Sequence, residues 1–257
     1  MDKAVIKNYW WIIGLVIVVW LTPLLLICCS PLQGFVERGQ FGDMFGVINA
    51  LFTGLAFAFV VISLFEQQKQ LREQEKQMAR RDFESVFFEL LRMHNENVQG
   101  AVGKDPYGSI GEGVVAFSAL WQAFLSESGV TGYLQRRGVV APPASREDLG
   151  TCYVNFYVTR NRERVLGNYF RTLYQLMTYI LRQESLLAEE KYRYAKIVRA
   201  RMSNDELSML FVNGLSEYGE ASVEYIEAFS MFKHLDLDKL KIDNPKQYYK
   251  AQAFDHG

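Results

Sequence analysis

Residues 44–65 read MFGVINALFTGLAFAFVVISLF, and this run decides the architecture of the chain. It holds 22 residues without a charge and is bounded by Asp43 and Glu66. A helix of about 20 apolar residues is long enough to cross the hydrocarbon core of a bilayer, which is about 30 Å thick. A buried core helix of a soluble protein is rarely this long without a charge. The run therefore predicts a membrane-spanning helix.

A second apolar run lies upstream, at residues 10–29, and reads WWIIGLVIVVWLTPLLLICC. It also lacks charge and predicts another span of about 30 Å. The main alternative is a cleaved signal peptide, with Lys3 and Lys7 as its basic part. The run is longer than a signal peptide's apolar region, however, and no small-x-small cleavage site follows it cleanly. Lipoprotein-type cleavage is disfavoured because no small residue directly precedes Cys28 or Cys29.

The basic residues that flank the two runs predict the orientation of the chain in the membrane. Lys3 and Lys7 precede the first run, and the connecting segment, residues 30–43, has only Arg38. Five basic residues follow the second run, between residues 66 and 81. We therefore expect a multi-pass protein, a transmembrane hairpin over residues 1–65 with both termini in the cytoplasm and a short loop outside.

The second run carries a candidate packing surface for its transmembrane helix. Ridges of small side chains let helix backbones approach closely in lipid, and a buried amide beside such a ridge needs a partner. The ridge packs either against the first span of the same chain or between copies of the protein. The sequence is compatible with both interpretations. Four small residues spaced four apart form it, with two polar residues beside them: Gly46, Ala50, Gly54 and Ala58, with Asn49 and Thr53.

Residues 66–99 predict a helical stalk after the second span. Its first part is rich in Glu, Gln, Lys and Arg, which favour helix formation, and it contains no Gly or Pro. Its second part becomes amphipathic and is expected to dock on the core of the domain that follows. The apolar residues on that docking side are Phe83, Val86, Phe87, Leu90 and Leu91.

Residues 100–235 predict a cytoplasmic helical domain, so the fold class is all-α. The Gly-rich segment at residues 100–113 lacks the spacing of a phosphate-binding loop and is expected to connect two helices. Residues 136–148 are expected to form a loop, and the polar tail, residues 236–257, is expected to pack loosely. Helices are predicted over residues 112–127, 162–184, 187–201, 203–218 and 221–232, the fourth opened by a capping box of Ser203 and Glu206.

Chemically active residues are sparse in this domain. The histidines, His94, His234 and His256, have no second ligand at metal-binding spacing, and no nucleophile motif is present. We therefore expect no enzyme activity, no metal and no cofactor. His94 and Asn95 form the one polar pair beside a strongly apolar helix face, and they are either a satisfied helix-end pair or part of a site.

A basic patch lies on the helix predicted at residues 187–201. It consists of Arg193, Lys196, Arg199 and Arg201. A charge run of this kind is usually a solvated face or a partner surface. The formal net charge of the whole chain is -1. A dedicated nucleic-acid binder usually carries a strong basic excess, so direct sequence-specific nucleic-acid binding is not expected.

Two segments of the domain resemble the phage abortive infection family of the AbiC type. Residues 83–95, FESVFFELLRMHN, follow directly on the anchor and stalk, and residues 194–213 read YAKIVRARMSNDELSMLFVN. The stretch from Tyr169 to Tyr179 fits as well, and the resemblance extends from the second span to about Tyr225. Its motifs are mostly structural aromatics and a capping box, so they indicate the family better than the mechanism.

The resemblance implies bacterial defence, in which phage infection triggers growth arrest or death of the host. Related two-span proteins resemble the effector partners of some retrons. We therefore expect an effector of the inner membrane that disrupts the lipid bilayer as a homo-oligomer. Its helical domain would sense or bind a protein or ribonucleoprotein partner of the retron type. A membrane-tethered, nuclease-like enzyme that uses the basic patch is the alternative, and a non-catalytic scaffold is the third reading.

Overall fold

The computed structural model describes residues 35–128 and 145–255, together with Val18 and Thr22. Apart from those two residues, the first predicted span lies outside the described residues, so the transmembrane hairpin stays a prediction. Contacts divide the chain into two units, Met1–Glu75 and Lys76–Gly257. The described residues are 76% helical and contain almost no strand, which confirms the all-α class.

The first unit contains the apolar part of helix α1, which as a whole covers Phe35–Gln99. The helix begins before the predicted span, so residues 35–43 are helical rather than a loop. By length and composition, Phe45–Gln99 is the one described helix that could cross a membrane, with an 18-residue window of mean hydropathy 2.3. No residue of this window is buried, whereas the core helix of a soluble protein would be mostly buried.

The second unit begins with the last turns of α1, which are amphipathic as predicted. Phe83, Phe87 and Leu91 are buried, but Val86 is exposed and does not belong to the docking side. The ring of Phe83 packs on two rings of the domain, with centroid distances of 5.2 Å to Tyr179 and 4.8 Å to Tyr194. These contacts hold this part of α1 against the rest of its unit.

A two-stranded antiparallel hairpin follows α1 where a simple connector was expected. Strand β1, Val102–Lys104, pairs with β2, Ile110–Glu112, and Gly103 lies opposite Gly111. Both glycines face helix α2, Val114–Glu127: a Cβ on Gly103 would lie 2.4 Å from the Ala116 carbonyl oxygen. Glycine is required here because any side chain would push the hairpin away from α2.

Helices α3 to α6 build the core of the second unit. Helix α3 was not predicted, although Ser145 and Asp148 form a reciprocal capping box at its start. The predicted helices at residues 162–184 and 187–201 are confirmed with slightly shorter bounds, and the helix opened by Ser203 ends at Asn213 rather than near residue 218. The bounds are Arg146–Val158 for α3, Arg162–Leu181 for α4, Ala188–Arg199 for α5 and Asn204–Asn213 for α6.

The C-terminal part of the chain packs into the core, so the expectation of a loose tail is wrong. Helix α7, Val223–Ala228, is shorter than predicted, and α8 is a single turn, Leu237–Leu240. Leu240 and Ala253 are fully buried. The hydroxyl of Tyr249 donates a hydrogen bond of 2.6 Å to the carbonyl oxygen of Phe211 in α6. The apolar residues within this polar segment therefore complete the core.

Candidate functional site

A cleft of about 270 Å³ lies in the second unit, where the end of α1 meets the start of α2 and the junction of α5 and α6. Its apolar wall consists of Leu91, Val98, Val114, Val198 and Met202. Its polar groups are His94, Asn95, Gln99, Arg201 and Glu206. The structure thus brings His94 and Asn95 together with one residue of the predicted basic patch, Arg201.

His94 is the most buried histidine of the described residues, with 3% of its surface exposed. Burial lowers the pKa of its imidazole to about 4, so the ring is neutral at pH 7. Its Nδ1 lies 3.3 Å from the hydroxyl oxygen of Thr172, and its ring packs on that of Tyr169 with a centroid distance of 4.8 Å. The ring is therefore fixed from two sides.

Thr172 determines which nitrogen of His94 carries the proton. Its hydroxyl lies 3.0 Å from the carbonyl oxygens of both Asn168 and Tyr169 and donates to them. The same oxygen accepts a hydrogen bond of 3.3 Å from the amide of Asn97. Because the hydroxyl proton is used in this way, we assign the proton of His94 to Nδ1, which donates to Thr172. Nε2 is then an acceptor, without a partner among the described residues.

Glu206 is the second buried polar group of the cleft, with 2% of its surface exposed. One carboxylate oxygen accepts a hydrogen bond of 3.1 Å from the hydroxyl of Tyr169, and the other accepts one of 2.8 Å from the backbone N–H of Ser203. Burial raises the pKa of this carboxyl, and the hydrogen bonds from Ser203 and Tyr169 oppose that rise. Tyr169 therefore links Glu206 to the ring of His94.

Arg201 supplies the positive charge of the cleft. Its side chain is exposed, and among the described residues it makes no hydrogen bond or ion pair. Asn95 is half-buried on the opposite wall, and Gln99 is exposed one turn further along α1. The cleft therefore combines a cation and two amides with buried acceptor atoms.

The remaining residues of the basic patch do not line the cleft with Arg201. Arg199 is buried, and its guanidinium donates to the carbonyl oxygens of Phe229, at 3.0 Å, and Ser230, at 2.7 Å. These bonds hold Ser230, whose φ is 49°. Arg199 is thus an internal support rather than part of a partner surface, which corrects its place in the predicted patch. Arg193 and Lys196 are exposed on α5 and do not line the cleft.

The predicted transmembrane packing surface lies on the first unit. Gly46, Ala50, Gly54 and Ala58 are all exposed, and a Cβ on either glycine would meet no described atom within 4 Å. The polar residues beside the ridge are exposed as well, and the hydroxyl of Thr53 donates a hydrogen bond of 2.8 Å to the carbonyl oxygen of Asn49. What the ridge packs against stays a prediction.

Sequence patterns missed three residues that shape the cleft: Tyr169, Thr172 and Glu206. Glu206 was recognised only as the partner of Ser203 in a capping box, and Tyr169 only as a core aromatic. Their common position depends on how α1, α4 and α6 cross, which spacing along one helix cannot reveal. Within the described residues, no three acidic, histidine or cysteine side chains gather in a way that could hold a metal ion.

Together these features define a class of protein: an all-α chain with an exposed helix of membrane-spanning length and, in a separate helical unit, a small polar cleft. Residues 161–240 match the model of the family described as Putative phage abortive infection protein. The match confirms the resemblance to the AbiC type over these residues, which make up less than half of the chain. Tyr169, Arg201 and Glu206 lie within the matched residues. No curated protein and no solved structure matches the chain.

Proposed function

We propose that this protein is a membrane-anchored abortive infection effector that disrupts the bacterial inner membrane once phage infection activates it. The observation that carries the proposal is the apolar window of α1, which is long enough to span a bilayer and has no buried residue. The family match supports the defence role. In this proposal both apolar runs cross the membrane, and copies of the chain associate through the ridge that contains Gly46 and Gly54.

The helical unit acts in this proposal as the sensor that releases the membrane activity. Its cleft supports a binding role, because buried acceptor atoms and an unpaired cation converge in it. One wall of the cleft belongs to α1, whose earlier residues form the apolar window. Occupation of the cleft by a ligand, or docking of a retron-type protein or ribonucleoprotein partner beside it, would favour one state of this helix over another.

A membrane-tethered nuclease is the second candidate. The basic patch was its proposed substrate surface, and the burial of Arg199 removes one of the four cations from that surface. Arg193, Lys196 and Arg201 remain exposed and keep this candidate open to test. A non-catalytic scaffold, the third candidate, would need neither membrane damage nor cleavage of nucleic acid.

Cysteine labelling tests the proposed topology, in which both termini face the cytoplasm. In a chain whose three native cysteines are replaced by alanine, Gln40→Cys should react with a membrane-impermeant maleimide in intact spheroplasts, because it precedes the second span. Gln70→Cys, which follows that span, is the matched control and should react only after lysis. The reverse pattern, with Gln70→Cys labelled in intact spheroplasts, would overturn the assigned orientation.

A further inference from the structure

The cleft between α1 and the α5–α6 junction contains two side chains with acceptor atoms, His94 and Glu206. Nε2 of His94 is an acceptor without a partner among the described residues, and only 3% of this residue's surface is exposed. The carboxylate of Glu206 lies in the same cleft; each of its oxygens already accepts one hydrogen bond, and a carboxylate oxygen can accept a second. The free acceptor of His94 and the remaining lone pairs of Glu206 favour a ligand that brings N–H or O–H donors.

The mouth of the cleft, in contrast, carries a positive charge and hydrogen-bond donors. The guanidinium of Arg201 is exposed and, among the described residues, has no carboxylate within ion-pair distance. A planar guanidinium binds phosphate or carboxylate through two parallel hydrogen bonds. The amides of Asn95 and Gln99 add further donors. This end therefore favours an anionic group.

The size and the walls of the cleft further limit which ligands could bind there. About 270 Å³ lies just below the usual range for sites that bind small organic molecules, about 300–1,000 Å³. Inorganic phosphate is too small to fill this space and has no apolar face. Apolar side chains on facing walls, including Val98, Val198 and Met202, suit a flat ring.

We propose that the cleft binds a nucleoside monophosphate whose base carries an exocyclic amino group. The amino group donates to Nε2 of His94 and to Glu206, the base lies against the apolar wall, and the phosphate is bound by Arg201. Since the cleft belongs to the proposed sensor unit, this inference rests on the proposed function and gives it a ligand class.

Calorimetric titration of the full chain in detergent tests the proposal, with AMP, CMP, GMP and UMP as probes and inorganic phosphate as a further probe. We expect saturable binding of the three amino-bearing nucleotides, weaker binding of UMP and none of phosphate. Arg201→Gln, an exposed change that leaves the fold intact, should weaken AMP binding at least tenfold, and Arg201→Lys should restore part of it. Arg193→Gln on the outer face of α5 is the matched control and should bind normally.

Three results would overturn the proposal. One is the absence of binding by every nucleotide, and another is equal weakening by Arg193→Gln and Arg201→Gln, which would place the anion outside the cleft. Binding of a glutamate-rich peptide in place of nucleotides would assign the cleft to an acidic partner segment. Because the titration involves neither infection nor a membrane, its failure leaves the proposed membrane activity to be judged by the potential of infected cells.

Discussion

Cells that produce the Asn49→Leu variant are expected to accumulate the protein at a near-normal level and to lose most of their protection against phage. Loss of one interhelical hydrogen bond in a membrane costs about 0.6 kcal/mol, which is too little to unfold the chain. If Asn49 lines the polar path of the proposed membrane activity, the same change would block conduction along it. Abundance blots, crosslinking and phage plating on the same cultures measure both effects.

Gly54→Leu separates the two readings of the ridge. If the ridge packs only against the first span, the bulky side chain should strain the hairpin, and the protein should accumulate less. If it packs between copies, the protein should accumulate normally but lose self-association and toxicity. Ala56→Leu lies about 200° around the helix from Gly54 and is the matched control. It should leave the abundance, self-association and toxicity of the protein unchanged. Full toxicity of the Asn49 and Gly54 variants at normal abundance would leave the helical unit as the active part.

Arg162→Ala should lower the free energy of unfolding of the helical unit by about 3 kcal/mol. Arg162 is buried at the junction of α3 and α4, where its guanidinium lies 3.9 Å from the ring centroid of Phe156. It donates hydrogen bonds of 3.1 Å to the Phe156 carbonyl oxygen and 2.7 Å to Glu127. Truncation would leave the carbonyl unpaired and remove the closer cation from Glu127.

Arg160→Ala is the matched control for this change. Arg160 also contacts Glu127, at 3.0 Å, but 70% of its side chain is exposed, so its loss should cost less than about 1 kcal/mol. Chemical denaturation of the solubilised chain, followed by far-UV circular dichroism, measures both variants. Equal losses for the two arginines would contradict the structural role assigned to Arg162.

The regular spacing of apolar residues made the central helices predictable. In α4, the apolar residues Tyr169, Leu173, Leu176 and Ile180 are buried as their spacing indicates. The capping box of Ser203 and Glu206 correctly predicted the start of α6. These features depend on neighbours within about one turn of helix, and such local information is present in the sequence.

The predictions from the sequence were wrong where tertiary contacts determine the local structure. The Gly-rich segment forms a hairpin because Gly103 and Gly111 lie directly against α2, a contact that composition alone does not reveal. The tail is polar on average, yet Tyr249 and Leu240 are buried. Helix α3 was missed although Ser145 and Asp148 signal its start, because the nearby prolines, Pro142 and Pro143, favoured a loop.

The candidate site was predictable only in part, for the same reason. His94, Asn95 and Arg201 were identified from the sequence, but as members of two unrelated groups. The structure brings them together and adds Glu206, whereas Arg199 turns inward to the carbonyl oxygens of Phe229 and Ser230. The direction of an arginine near a helix end depends on the chain packed beside it, and a charge pattern does not contain that information.

A time course of membrane potential in infected cells tests the proposed membrane activity most directly. A potential-sensitive dye and gels of total RNA and DNA are followed in the same culture, with cells that lack the protein as the control. If the protein disrupts the membrane as proposed, the potential should collapse in protected cells before nucleic acid is degraded. Early cleavage of RNA or DNA while the potential is intact would contradict it and favour the membrane-tethered nuclease.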